Sequence, residues 1–202
     1  MLSRKNAMQK CKDEFLNQLT PGDIIDAKVT HLESFGAFCD IGCGNIALLP
    51  IDAISVSRIS HPRDRFCAGD DIKVIIKSID DFGRITLSHK ELLGTWEENA
   101  AKFSAGQTVS GVIRSIEDYG IFVKLAPNLA GLAEIKEGVR VGQTAGVFIK
   151  SIIPDKMKVK LIIIDSFEMA EPAPYEYFYE GDRIERFVYS PKDSGKVIET
   201  IF

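Results

Sequence analysis

A chain of 202 residues with 45% hydrophobic side chains is long enough for two small domains, each able to bury a core. Its formal net charge of −4 excludes a surface that is basic throughout, so any nucleic-acid groove must be local. Residues 105–165 carry eight Lys or Arg against six acids, whereas residues 166–202 carry four against eight. A basic groove therefore belongs before the tail.

The opening Met1-Leu2-Ser3-Arg4-Lys5-Asn6 lacks the apolar run of a signal peptide, and Leu161-Ile162-Ile163-Ile164 is too short to span a bilayer. A cytoplasmic location without membrane contact is expected. There Cys11, Cys39, Cys43 and Cys67 should be free thiols. Cys39 and Cys43 have no second close cysteine pair to complete a zinc site, so no metal is expected. Met8, Cys11, Phe15 and Leu19 step by three and four, which predicts a packed helix within residues 1–20, ended by Pro21-Gly22.

After it the chain repeats itself. Glu33-Ser34-Phe35-Gly36-Ala37-Phe38 returns as Glu117-Asp118-Tyr119-Gly120-Ile121-Phe122, and Gly22/Gly106, Val29/Ile113 and Leu48/Leu132 keep the same offset of 84. Further on, Val74, Ile76 and Lys77 match Val147, Ile149 and Lys150 at an offset of 73, so the second copy has lost eleven residues between its halves. One offset held through two blocks and changed once, where a loop belongs, marks a duplication.

In the first copy, Ile25, Ala27 and Val29 alternate with Asp26, Lys28 and Thr30, which predicts a strand with one buried face. Gly36 is expected to permit a bend before a strand over 37–41. A third strand runs near 46–49, and 50–68 is a long connection; its Arg58, Arg63 and Arg65 could widen a basic rim, but charged loop residues are commonplace and none is assigned to it individually. Strands over 71–79 and 84–88 join at Asp80-Asp81-Phe82-Gly83. Five short strands in about 70 residues suggest a small closed barrel of the OB type. Thr95 and Glu98 form a capping box that starts a helix between the copies. In the tail, residues 183–189 and 196–202 flank Ser190-Pro191-Lys192-Asp193-Ser194-Gly195, a β-hairpin that needs something to dock on. The expected fold is all-β: an N-terminal helix (1–20), a first five-stranded barrel (21–93), a helical linker (94–104), a shortened second barrel (105–165) and an acidic extension with a hairpin (166–202).

Gly22-Asp23, Phe35-Gly36-Ala37-Phe38, Asp80 with Arg84, and Arg84-Ile85-Thr86-Leu87-Ser88, in this order, resemble the RNA-binding domain named after bacterial ribosomal protein S1. The second copy is similar over 106–133 and 142–161, and Gly94-Thr95-Trp96-Glu97-Glu98 resembles the spacer between tandem domains of that family. By themselves the residues leave Phe35 and Phe38 open between core and surface. The resemblance implies that they stack on bases, with Arg84 meeting the nucleic acid nearby. Lys77, on the strand before Arg84, is placed either to approach the backbone of the ligand or to stand as a solvated surface lysine. Asp80 would orient Arg84 or close the turn.

Two departures stand out. The family's histidine after the third strand is Pro50 in one copy and Glu134 in the other. In the second copy Ile153 or Pro154 replaces Asp80 and Lys158 replaces Arg84, one residue further along. Binding there would use Tyr119 and Phe122 with Lys150, Lys158, Lys156 and Lys124, leaning more on phosphates, unless this copy serves a protein partner. Convergent carboxylates, a nucleophile with a base and a phosphate loop are all missing, and His31, His61 and His89 stand alone, so no catalysis, cofactor or small-molecule substrate is expected. The resemblance implies a holder of single-stranded RNA in translation or mRNA handling, with the ribosome or another RNA-associated protein as a further partner. The alternative is a module that docks on the ribosome or an RNA-processing enzyme and touches RNA incidentally.

Overall fold

A computed structural model describes residues 10–11, 13–167 and 175–202. They form two compact units, the first reaching Leu92 and the second starting at Leu93, each taking part of the tail. No helix among the described residues is long and apolar enough to cross a membrane.

The first unit is a closed barrel of β1 (Ile24–Glu33), β2 (Gly36–Asp40), β3 (Ile46–Pro50), β4 (Asp71–Ile79) and β5 (Ile85–Ser88), in the order β1-β2-β3-β5-β4. The contact of β3 with β5 is parallel and the others are antiparallel. The second unit repeats this with β6 (Thr108–Glu117), β7 (Gly120–Ala126), β8 (Leu129–Ala133), β9 (Thr144–Ile153) and β10 (Lys158–Phe167). These are two OB barrels, as the turn spacing predicted.

The cores correspond residue for residue. Val29, Ala37, Cys39, Val74, Ile76 and Leu87 fill the first barrel, and Ile113, Ile121, Val123, Val147, Ile149 and Leu161 fill the second. Even the irregularities are copied. The β1–β2 ladder shifts between Val29 and His31, and β6–β7 shifts between Ile113 and Ser115. An extra residue in one strand moves everything beyond it to the other face, so the buried positions of β1 run Ala27, Val29, Leu32 and do not alternate to the end.

Gly36 serves a different purpose from the predicted bend. A Cβ there would lie 2.5 Å from the Leu49 carbonyl oxygen, and one at Gly120 would lie 2.7 Å from that of Ala133. In both barrels the third strand passes directly over the glycine, and close approach is what excludes a side chain.

The eleven residues that the second copy lacks are a small annex in the first. Ile51–Ile54 makes a helical turn, and His61 and Asp64 cap another at Pro62–Asp64. Phe66 and His89 are buried against each other at 5.2 Å. Burial lowers the His89 pKa to about 4, and Nδ1 contacts the Ile54 carbonyl at 3.2 Å. Arg65 is buried here and contacts Ser55 at 3.2 Å, so it does not belong to a basic rim.

The predicted capping box is present: the Thr95 amide donates to Glu98 at 2.7 Å and the Glu98 amide to Thr95 Oγ1 at 3.2 Å, starting the helix Trp96–Ala100. Of the N-terminal stripe, Met8 lies outside the described residues, while 13–16 are helical and Phe15 is half-buried beside Gly42. The expectation of four free thiols fails. Cys11 and Cys43 form a disulfide with Cα atoms 6.3 Å apart, because the helix sets Cys11 beside the β2–β3 turn. Cys39 and Cys67 remain free, and burial raises the Cys39 thiol to about 12.

In the tail, β11 (Arg186–Val188) pairs with β12 (Glu199–Ile201). Asp182 and Ile184 add backbone hydrogen bonds to Ile24 and Gly22 of the first unit. In the second unit Tyr189 is buried, and its hydroxyl donates to the Asn128 carbonyl at 2.5 Å.

Candidate nucleic-acid interface

The outward faces of the barrels are read from strand register. In the first, His31 pairs with Phe38, Phe38 with Leu48, Leu48 with Thr86 and Thr86 with Ser78, one row across five strands. The matching row of the second is Ser115, Phe122, Leu132, Lys160 and Ser151. Phe38 and Phe122 therefore point away from their cores, while their neighbours Ala37, Cys39, Ile121 and Val123 point in.

Phe35 and Tyr119 sit in the turns just before these strands and are 54% and 69% exposed. Each meets its partner ring edge to face, at 6.0 Å for Phe35 and Phe38 and at 6.1 Å for Tyr119 and Phe122. The motif thus builds the same surface twice, two rings per barrel, which leaves an open aromatic face for a planar group to stack on.

The charged neighbours differ. Asp80 binds the Arg84 amide at 2.8 Å, the Arg84 Nε at 2.7 Å and the Phe82 amide at 3.0 Å. The Arg84 amide, with the guanidinium and the Phe82 amide behind it, holds the Asp80 carboxyl below the usual carboxylate range. Asp80 thus hydrogen-bonds both the amides of the turn and the Arg84 side chain. In the second barrel register sets Lys158 opposite Ile153, which occupies the place of Asp80, and the turn between them is one residue longer.

One row further out, Asp40 pairs with Ile46 in the first barrel and Lys124 with Ala130 in the second. Continuing the parallel registers by two residues brings Arg84 beside Ile46 and Lys158 beside Ala130. An acid and an arginine thus flank this row in one barrel, and two lysines flank it in the other. Lys160 adds a third lysine, exposed on the row of Phe122.

Lys77 and Lys150 occupy the same bulge of their barrels, between Ile76 and Ser78 and between Ile149 and Ser151. Neither lies on the aromatic row, where Ser78 and Ser151 stand instead. Lys150 Nζ is 3.4 Å from Glu134, the residue at the place of the family histidine. Sequence reasoning missed His31, Lys160 and Phe82. His31 is turned outward only by the bulge before it. Lys160 follows Lys158 with a two-residue period that could have been read. Phe82 is 84% exposed at the tip of the β4–β5 turn.

The family model of the S1 RNA binding domain matches residues 18–90. Through its first barrel the chain belongs to the S1 RNA-binding domain family. The small ribosomal subunit protein bS1 of Staphylococcus aureus (strain COL) is 41% identical over 143 residues, 68% of this chain and 36% of that protein. That of Staphylococcus epidermidis is 34% identical over 180 residues, 81% of this chain and 46% of that protein. The chain thus spans less than half the length of these relatives. Among solved structures, that of GSP13 from Bacillus subtilis is similar at 25% identity and a TM-score of 0.34, covering 35% of this chain and 55% of that one.

Proposed function

We propose that this chain holds single-stranded RNA in translation, in the manner its resemblance to ribosomal protein S1 implies. Bases stack on Phe35 and Phe38 in the first S1 barrel and on Tyr119 and Phe122 in the second. Arg84, oriented by Asp80, serves the first platform together with Lys77; Lys158 and Lys150 serve the second. The ribosome is the natural larger partner, and a cytoplasmic location follows from that setting. The observation that carries this reading is the outward aromatic pair, one ring exposed and one half-buried, built at the same place on both barrels with positive charge on the same face.

Fluorescence anisotropy with a labelled single-stranded RNA tests it. Stacking contributes about 1 to 3 kcal/mol per base. Phe35→Ala with Phe38→Ala, and Tyr119→Ala with Phe122→Ala, should each weaken binding at least about fivefold if one base is lost. Folded double variants that bind as tightly as the wild type would sink the proposal. A single-stranded DNA of the same sequence, run alongside, reports whether the 2′-hydroxyl contributes.

A further inference from the structure

We propose that Phe82, packed beside the Arg84 guanidinium, adds a second base-stacking site to the first barrel, beyond the rings of Phe35 and Phe38 and without a counterpart on the second barrel. The inference rests on the RNA-binding reading above and extends it to a residue outside the doubled motif.

Phe82 is 84% exposed, more than any other large apolar side chain described. It stands on an organised turn: its own amide donates to Asp80 at 3.0 Å, the Gly83 amide to the Asp80 carbonyl at 2.9 Å, and the Asp80 amide to the Arg84 carbonyl at 3.0 Å. The Arg84 guanidinium lies 5.3 Å from the centre of the Phe82 ring, within cation–π range. Because Asp80 takes the Arg84 Nε at 2.7 Å, the guanidinium is held while its two terminal nitrogens remain available to a ligand.

An aromatic face beside a planar cation suits a nucleobase, which offers a ring to stack and polar edges to accept hydrogen bonds. Phosphate is a poorer occupant, because Asp81 adds an acid at the tip and Asp80 already uses part of the arginine charge. The site also lies at a useful distance from the first platform. Register puts Arg84 one row along and two strands across from Phe38, roughly 12 Å for ordinary strand rise and spacing. Exposed Ile46 lies on the path between them. A strand stacked on Phe35 and Phe38 can therefore continue across β3 to Phe82. In the second barrel the corresponding turn is Pro154–Lys156 followed by Met157, with no aromatic.

About 2 nucleotides fill the platform of Phe35 and Phe38 without reaching Phe82, whereas a strand of about 16 nucleotides, the upper end of what an OB fold covers, spans both, so RNAs of these two lengths separate the two sites. Phe82→Ala should lower affinity for the long RNA about fivefold or more and leave the short one unchanged, while Phe35→Ala with Phe38→Ala weakens both. A Phe82→Trp variant gives a direct signal, because Trp96, the chain's one tryptophan, is buried. Its fluorescence should be quenched by the long RNA only. The second site is refuted if Phe82→Ala changes neither RNA or both equally, or if Phe82→Trp fluorescence ignores the long RNA. If the wild type binds neither RNA, the proposed function falls as well. If it binds and only the Phe35 and Phe38 variant weakens, this inference alone falls.

Discussion

If RNA is held as proposed, the charge exchange on the outward rows should make most of the salt dependence of binding reside in the second barrel. The perturbation is Lys158→Gln with Lys160→Gln. Both residues are exposed on β10 and alternate with buried Val159 and Leu161, so the changes leave the core untouched and should shift stability by no more than about 0.5 kcal/mol. A single strand releases roughly 0.7 counterion per neutralised phosphate, so losing two contacts should shrink the slope of log affinity against log salt by about 1.4. Over a fourfold change in salt, from about 50 to about 200 mM, that makes the wild-type advantage fall about sevenfold. The reverse change in the first barrel is Asp40→Lys, which copies Lys124 and should steepen the slope by about 0.7.

Anisotropy titrations at four salt concentrations supply the slopes, and circular dichroism confirms that each variant is folded. The reasoning is refuted if the glutamine double variant keeps the wild-type slope, or if its loss of affinity is the same at every salt concentration. Removing Arg84 as Arg84→Gln should flatten the slope less than the two lysines do, since part of its charge is already committed to Asp80.

Two further outcomes concern the fold. Gly36→Ala should destabilise the first barrel by about 1 to 3 kcal/mol, because its Cβ would press on the Leu49 carbonyl, and urea denaturation measures this; an unchanged midpoint would refute the close-approach account of the motif. His89 is held neutral in the fold, with its pKa lowered to about 4, so the unfolded chain binds the extra proton between about pH 6.5 and pH 4. Stability from this residue is complete above about pH 6.5 and is lost as pH falls toward about 4, by about 3 kcal/mol in all. Urea midpoints across that window should fall on acidification more steeply for wild type than for His89→Phe, which lacks the group, and parallel curves would refute it.

Much of this was legible because a duplication tests itself. The offsets of 84 and 73 locate the paired cores before any strand is assigned, and the changed turn length gives Lys158 as the equivalent of Arg84. The bulges stayed hidden. A period-two pattern carries no mark of an inserted residue, so His31 reads as continuing the buried face of Val29, and the position of Lys77 and Lys150 in a bulge off the aromatic row could not be read. Arg65 and Phe82 failed in opposite senses. The annex covers the loop arginine, whereas the phenylalanine in the turn stays largely exposed, and local sequence does not say what packs over a loop.

The pattern of divergence explains how one motif can support two kinds of contact. Inside the barrels the pairs keep their type: Val74 with Val147, Ile76 with Ile149, Leu87 with Leu161. On the outward rows Phe38, Leu48 and Ser78 recur as Phe122, Leu132 and Ser151, but the charges around them change: Asp40 becomes Lys124, Asp80 becomes Ile153, Arg84 becomes Lys158 and Thr86 becomes Lys160. The glycine of the motif is required by the strand that crosses it, and the rings on either side lie where that crossing puts them. Packing thus secures an aromatic face in both copies, whatever surrounds it. On the proposed function the surroundings then set its use: a guanidinium held by a carboxylate suits directional contacts to bases, whereas a cluster of lysines suits a phosphate chain without choosing among sequences.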